Sequence, residues 1–404
     1  MKNIRFGANY IPSKNWLHSW TNWDAASVEE DLIATKALGV DHIRANLIWP
    51  YFQINPTAMS PSAMNNLKEF MQICDKVGMD CFITLFTGWM SGFFYFPAWQ
   101  QKLTGRFGEG IFHNPEMMKA EEFYIREIAK VVKDSKSFMG FDLGNELSVL
   151  LFYDKTATIE ECDIWHEKML GICEEVAPGK LHNNGVDHMP WHIGVGFSRE
   201  ILVNTGRITP VHTYSEFTGA IERFGKMSME SYHLAPFMME MARAFSEDIN
   251  RPFWVQEFGT AAAGFDDNEE EFVIRSIEAM YTTENLWGIT WWCTHNLPKE
   301  YTAYDPLEYE LGLLDSNNKP TRAGELFKKI VKEYKENGAN PPKRTVAFVL
   351  KTYDDEGKIT PDLFWENGKR YVEFVEKGIY PAIILPEKAN DEEYLKSRGI
   401  EKVY

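Results

Sequence analysis

Eight short apolar segments, rich in β-branched and aromatic residues, recur along the chain between longer amphipathic stretches. This alternation limits the fold more than any other feature of the sequence. The candidate strands are Arg5–Tyr10, Asp41–Ala45, Asp80–Phe86, Phe138–Leu143, Leu181–Asn184, Pro210–Tyr214, Phe253–Phe258 and Gly288–Cys293. Between them, Ser27–Leu38 reads as a helix opened by a Ser27-to-Glu30 capping box. Pro61–Val77, Pro115–Lys133, Ile159–Val176 and Glu269–Tyr281 carry apolar residues three or four apart, as helices do. Strands alternating with helices imply parallel β/α units, and eight units of about forty residues match a closed (β/α)8 TIM barrel. An open doubly wound sheet would show a glycine-rich phosphate turn after its first strand. The turn here reads GANYIPSKNW and lacks those glycines. The glycines of GRFGEGIF (Gly105–Phe112) fall inside a long segment read as a flexible loop.

The helix Thr321–Glu336 closes the expected barrel, so residues 1–337 are assigned to it. A linker-like NGANPPK follows, and residues 338–404 read as a small α/β C-terminal appendage. Its elements are a strand at Thr345–Lys351, a helix at Phe364–Lys377, a strand at Tyr380–Leu385 and a short last helix. About sixty residues are near the lower limit for independent stability, so the appendage is expected to pack on the barrel or on a second copy.

The net charge of −17 repels phosphate backbones and anionic lipid, so neither nucleic acid nor membrane is expected as a partner. No apolar run reaches the ~20 residues of a membrane span. The N-terminus shows no secretory leader, which points to the cytoplasm. The five cysteines are scattered and form no C-x-x-C pair, so buried free thiols are expected rather than disulfides or zinc. A homo-oligomer is compatible with the appendage, and no cofactor or metal is called for.

In a barrel, function collects at the C-terminal ends of the strands. The fourth strand runs through FDLG into Asn145 and Glu146, and the seventh, PFWVQEFGT, places Glu257 at its end. An acid in an apolar strand costs several kcal/mol if buried alone, so two at strand ends point to a shared polar site. Paired carboxyls about 5–5.5 Å apart serve a retaining glycosidase, one ionised as nucleophile and the other, with a raised pKa, as acid/base. Asn-Glu alone is weak, since Asn268-Glu269 also occurs in DDNEEE, where it reads as a solvated helix start. Its company adds weight. Arg44 in DHIRANLIW could keep a carboxylate ionised, and His212 and Tyr214 in PVHTY share a strand face. Of Trp291 and Trp292 in GITWWCTHN, Trp292 is the one expected at the mouth as a sugar floor.

This ordered set, Arg44, Asn145-Glu146, His212-x-Tyr214, Glu257 and Trp292, resembles the glycoside hydrolase clan of (β/α)8 barrels with carboxylates on strands four and seven. Within it, the chain is most similar to family 5 over roughly residues 5–335. The resemblance implies Glu146 as acid/base, Glu257 as nucleophile, Tyr214 as its hydrogen-bond partner and Asn145 at the sugar 2-hydroxyl. Cellulase-like members carry a histidine at the end of strand three, whereas FITLFTGWM has none and puts Trp89 there, which looks more like the mannan-active branch. The bulky loop from Trp89 to Trp99 could block one end of the cleft and make the enzyme exo-acting. Together these features resemble the β-mannosidase members, with a β-linked oligosaccharide such as Man-β-1,4-GlcNAc as substrate. A β-glucosidase, endoglucanase or endo-mannanase of the same family, or a carbohydrate-binding barrel without catalysis, remain the alternatives.

Other loop aromatics, Trp20 among them, read equally as sugar platforms or as packing. In LHNNGVDHMPWH, His188 and Trp191 are candidates for substrate contact, while the spacing of His182, His188 and His192 matches no zinc pattern. No Gly-x-Ser-x-Gly elbow or P-loop occurs, and DDNEEE lacks the glycine and spacing of a calcium loop.

Overall fold

In the computed structural model, which describes residues 4–260 and 265–404, seven parallel strands lie side by side in a curved sheet. Their order is Phe138–Gly144, Asp80–Thr87, His42–Ile48, Arg5–Tyr10, Leu286–Trp291, Phe253–Phe258 and Thr209–His212. The first strand thus sits between the second and the last, as barrel closure requires. The expected strand at 181–184 forms only a bridge, Asn183 against Asp142. The cause is a side chain in the ladder: His182 Nδ1 accepts the Phe141 N–H at 3.0 Å. Backbone bonds still tie this segment to the neighbouring strand through Leu181 N to Met139 O and Leu143 N to Asn183 O, and Arg207 N reaches back to His182 O. The segment therefore fills the eighth place in a (β/α)8 barrel.

The helices fall close to their sequence-based bounds, at Pro61–Val77, Pro115–Val132 and Ile159–Val176. The first helix is an exception at its start. It spans Ala25–Ala37, and Asp24, not Ser27, is the cap, accepting from Ser27 N. Asp begins the turn because its carboxylate also suits the positive helix end. In DDNEEE, Asp266 caps the helix Asp267–Met280, but Glu269 is buried and ion-paired with Lys226 rather than solvated. The Gly105–Phe112 loop is pinned rather than free: Gln100 Oε1 accepts from Gly108 N, and Asp154 from Ile111 N.

Inside the barrel, side chains alternate in and out. At the lower end His42 lies among Phe82, Trp254 and Trp287, with Thr290 accepting from Trp254 Nε1 at 2.6 Å. A Cβ on Gly7 would stand 2.2 Å from His42 Nε2, so only glycine lets the imidazole into this layer. One step further along the same strands come Arg44, Thr84, Asp142 and Gln256, all fully buried. The barrel interior is thus apolar and aromatic below and polar above.

The C-terminal segment forms a three-stranded parallel sheet, Ala382–Ile384, Val346–Val349 and Lys402–Val403, with the helix Pro361–Val375. The last strand has only two residues, too short for a period to show in the sequence. This unit rests on the barrel helix Leu234–Ala244 through Phe237 against Phe364 and through Glu240, which pairs with Arg344 and Arg398.

Candidate active site

Two backbone irregularities deliver the carboxylates. After Gly144 the chain leaves strand geometry, and Glu146 takes a left-handed conformation with φ 50°. Its N–H donates to Gly185 O at 2.8 Å. Gly185 makes this approach possible, because a Cβ there would lie 1.9 Å from Gly144 O and 2.2 Å from Asp142 Oδ1. Such a conformation costs of order 1–3 kcal/mol in a non-glycine residue and is typical of functional sites. Along Phe253–Phe258, Trp254 and Gln256 point inward, so strict alternation would send Glu257 outward. The register slips by one between Val255 and Glu257 against the neighbouring strand, pairing Glu257 with His212. This bulge turns Gln256 and Glu257 both toward the mouth, the kind of re-aiming that bulges achieve beside active sites.

The side chains then interlock. Arg44 donates from Nη1 to Glu257 Oε1 at 2.7 Å and to Asn145 Oδ1 at 3.0 Å. Its Nε donates to Asp142 Oδ2 at 2.6 Å. Tyr214 donates its hydroxyl to Glu257 Oε2 at 3.1 Å. His212 Nδ1 lies 3.0 Å from Glu146 Oε1 and 3.6 Å from Glu257 Oε2. The indole of Trp89 donates to Glu146 Oε2 at 3.1 Å, and its carbonyl accepts from Asn145 Nδ2 at 3.0 Å. Oxygens of Glu146 and Glu257 and the His212 nitrogen lie within 4.8 Å of one another.

The acceptors around His212 favour a proton on each nitrogen. Its Nε2 faces Gln256 Oε1 at 2.9 Å, the amide's own nitrogen being turned to Asn183 Oδ1, while Nδ1 faces a carboxylate. Burial disfavours the charge, but the carboxylates of Glu257 and Glu146 outweigh it and raise the imidazole to about 9. With both nitrogens donating and both Glu257 oxygens already accepting, this triad offers poor ligands to a metal ion.

The raised carboxyl is not the one expected. Burial pushes Glu146 up, but donation from His212 and the positive charges of His212, His188 and Arg44 leave it below its ordinary value. Glu257 is raised, since burial and the nearby Glu146 charge exceed the pull of His212 and Arg44. The reason is directional: His212 aims its Nδ1–H at Glu146. Two carboxylates this close titrate as a pair, and the proton's place changes with what lies between them.

The aromatic candidates separate. Trp89 reaches the Glu146 carboxyl. Trp291 packs outward against Phe258 and Phe327, and the next residue, Trp292, has its backbone and Cβ beside Gly259, where the Tyr214 ring also approaches. His188 lies close enough to the Glu146 carboxyl to act on it. Trp20 is 4% exposed, donates to Asn46 O, stacks on Trp23 and meets Phe52 and Phe70 edge-on, so the structure places it in packing. Trp191 is likewise buried, with its carbonyl accepting from Arg199, and lines a crevice with Ile359 and Phe364 of the C-terminal segment. Both rings lie in polar sequence, but helices distant in the chain pack over them. Sequence reasoning missed Asp142 and Gln256. The inward phase of Asp142 in FDLGNE was a usable signal, whereas Gln256 was hidden by the bulge.

Neither a scan of family models nor a search of curated protein sequences returns a match. Solved structures do. A glutamate-to-alanine variant of a GH5_18 protein from Streptomyces cattleya, in complex with Manb1-4GlcNAc, is 30% identical, with 99% of this chain and 98% of that one covered at a TM-score of 0.92. A GH5_18 protein from Bifidobacterium longum subsp. infantis is 28% identical over 100% and 97% of the two chains, at a TM-score of 0.90. The exo-beta-1,4-mannosidase Op5Man5 from Opitutaceae bacterium strain TAV5 shares the fold at 22% identity and a TM-score of 0.82, covering 96% of this chain and 70% of that one. The chain belongs to glycoside hydrolase family 5, subfamily 18, and is a glycoside hydrolase.

Proposed function

We propose that this enzyme is an exo-acting, retaining β-mannosidase of short oligosaccharides such as Man-β-1,4-GlcNAc. Glu257 is the nucleophile and Glu146 the acid/base. The observation that carries the mechanism is the separation of the carboxylates, whose nearest ligand atoms lie within 4.8 Å. Retaining enzymes hold their carboxyls about 5–5.5 Å apart, and inverting ones leave ≈6.5–9.5 Å for a water.

Glu257 is held for attack by two donors, Arg44 and Tyr214, which keep its charge on the side facing the anomeric carbon. In the unliganded site the proton needed by the leaving oxygen rests on His212 Nδ1, 3.0 Å from Glu146. As Glu257 bonds to the sugar its charge is lost, His212 gives that proton up to Glu146, and Glu146 passes it to the leaving oxygen. Water then enters, Glu146 takes its proton, and the ester to Glu257 is hydrolysed with net retention. Asn145, fixed by Arg44 and the Trp89 carbonyl, is the contact for the sugar 2-hydroxyl, with Trp292 as the floor and His188 beside the acid.

The exo reading is supported by loops that meet at Tyr304. Its ring stands 4.5 Å from Trp16 and 4.8 Å from Phe93, so loops after the first, third and last strands join across one end of the cleft. A mannoside is supported by the family relative crystallised with Manb1-4GlcNAc. No helix among the described residues is long and apolar enough to cross a membrane. A closed pocket for short sugars is consistent with work on imported saccharides in the cytoplasm.

The test is a rate comparison on nitrophenyl β-mannoside, β-glucoside and β-galactoside, with chromatography of Man-β-1,4-GlcNAc digests. The mannoside should lead by at least tenfold, and mannose with N-acetylglucosamine should be the sole products of the disaccharide. A faster glucoside, or no cleavage of the disaccharide, would contradict the assignment.

A further inference from the structure

The loop packed against one end of the site carries one more carboxyl with no cation beside it. Glu308 lies in the single turn Pro306–Tyr309, in the loop that follows the last barrel strand. The loop is fixed: Glu308 O accepts from Leu297 N, and Glu308 N donates to Asp305 O at 3.0 Å. Tyr304, four residues earlier, is the aromatic junction of the three loops. Across from Glu308 stands Ser91, at the tip of the hairpin formed by Trp89–Met90 and Phe93–Phe94. Ser91 is held at φ 48°, and its hydroxyl is buried with no hydrogen-bond partner.

Glu308 is half-buried, no Lys or Arg pairs with it among the described residues, and Glu257 and Glu146 are close enough to act on its carboxyl. Burial first, then Asp305 and the catalytic pair, push it to about 7 against the Ser91 contact. A carboxyl drawn partly out of water without a cation beside it carries a desolvation cost. A protein whose sole need here was to join two loops would be served by a neutral side chain. A carboxyl at the closed end of a sugar pocket has a use, because it binds hydroxyl groups strongly and can accept from two of them.

We propose that Glu308, with Ser91 opposite, is a specificity-determining residue that binds the hydroxyl edge of the terminal sugar remote from the anomeric carbon (O3, O4 or O6). The closed end thus recognises a free, unsubstituted sugar terminus. This rests on the exo-glycosidase reading and names the group that enforces it.

The experiment measures kcat/KM of the wild type, Glu308→Ala and Glu308→Gln on 4-nitrophenyl β-mannoside and its 3-, 4- and 6-deoxy derivatives. In the wild type, deleting the bound hydroxyl should cost about 10- to 100-fold, the range of hydrogen bonds to charged groups. In Glu308→Ala that one ratio should fall below about threefold, while the other two deoxy ratios stay put, and Glu308→Gln should lie between. Each ratio is taken within one preparation, so partial misfolding cancels. A structural role would lower parent and deoxy substrates by one common factor, leaving every ratio unchanged, and that result overturns the proposal. If the wild type favours another glycone, the mannoside assignment fails. The same deoxy series on the favoured glycone then tests Glu308 separately.

Discussion

Arg44 meets Glu257 at 2.7 Å in a place where neither side chain is open to water. The same guanidinium serves Asp142 and Asn145, so one residue of the second strand aligns groups from the fourth and seventh. Removing one partner of a buried ion pair leaves uncompensated charge, at a cost of about 3–5 kcal/mol. Arg44→Leu should therefore lower the thermal midpoint markedly as well as abolish turnover. Arg44→Lys keeps a charge but loses the fork, and should lose at least about a hundredfold in kcat/KM with a smaller stability loss, read by calorimetry beside kinetics.

Glu146→Ala should depend on the leaving group. Dinitrophenyl β-mannoside needs little protonation and should lose least in the glycosylation step, whereas Man-β-1,4-GlcNAc should lose about 10²- to 10⁴-fold, the scale of general acid catalysis. Azide should restore turnover with the activated substrate and yield β-mannosyl azide. Equal losses for both substrates would remove Glu146 from this role.

His212 links the site to pH. Its imidazole is raised from 6.5 to about 9 in the folded protein. A raised basic group contributes stability that is complete below about pH 6.5 and is lost as pH climbs through about 9. Its size is of order 3 kcal/mol, at 1.36 kcal/mol per unit. Wild-type stability should fall between pH 7 and 9.5 more steeply than that of His212→Gln, measured by urea unfolding across that range. Parallel slopes would show that His212 is not protonated at neutral pH.

The barrel was readable because its strands are apolar runs and its helices keep their period, and the carboxylates were readable because they end two of those runs. Other parts depended on information no local pattern contains. The strand at 181–184 fails to form a full ladder because a histidine ring occupies one of its hydrogen bonds. Glu257 faces the mouth through a bulge, against simple alternation. Trp20 and Trp191 sit in polar stretches yet are covered by residues distant in the chain, and nothing in local composition separates them from Trp89, which donates to Glu146. The proton's placement, low at Glu146 and high at Glu257, follows from the direction of one N–H bond.

Far from the chemistry, Glu240 is fully buried among Arg243, Arg344 and Arg398, which hold its carboxyl down at about 2. Two of those arginines come from the C-terminal segment. Glu240→Ala would leave three guanidiniums facing each other, so it should destabilise by about 3–5 kcal/mol. Activity per folded molecule should stay within about twofold of wild type, as judged by active-site titration.

The central claim is that Glu257 carries the sugar. Incubation with 2-deoxy-2-fluoro-β-mannosyl fluoride, followed by peptic digestion and tandem mass spectrometry, reads this directly, since the fluorine slows breakdown of the intermediate. One fluoromannosyl group per chain is expected, on the peptide spanning Phe253–Phe258 and located at Glu257. A label on Glu146 or elsewhere, or turnover with inversion and no label, would contradict it.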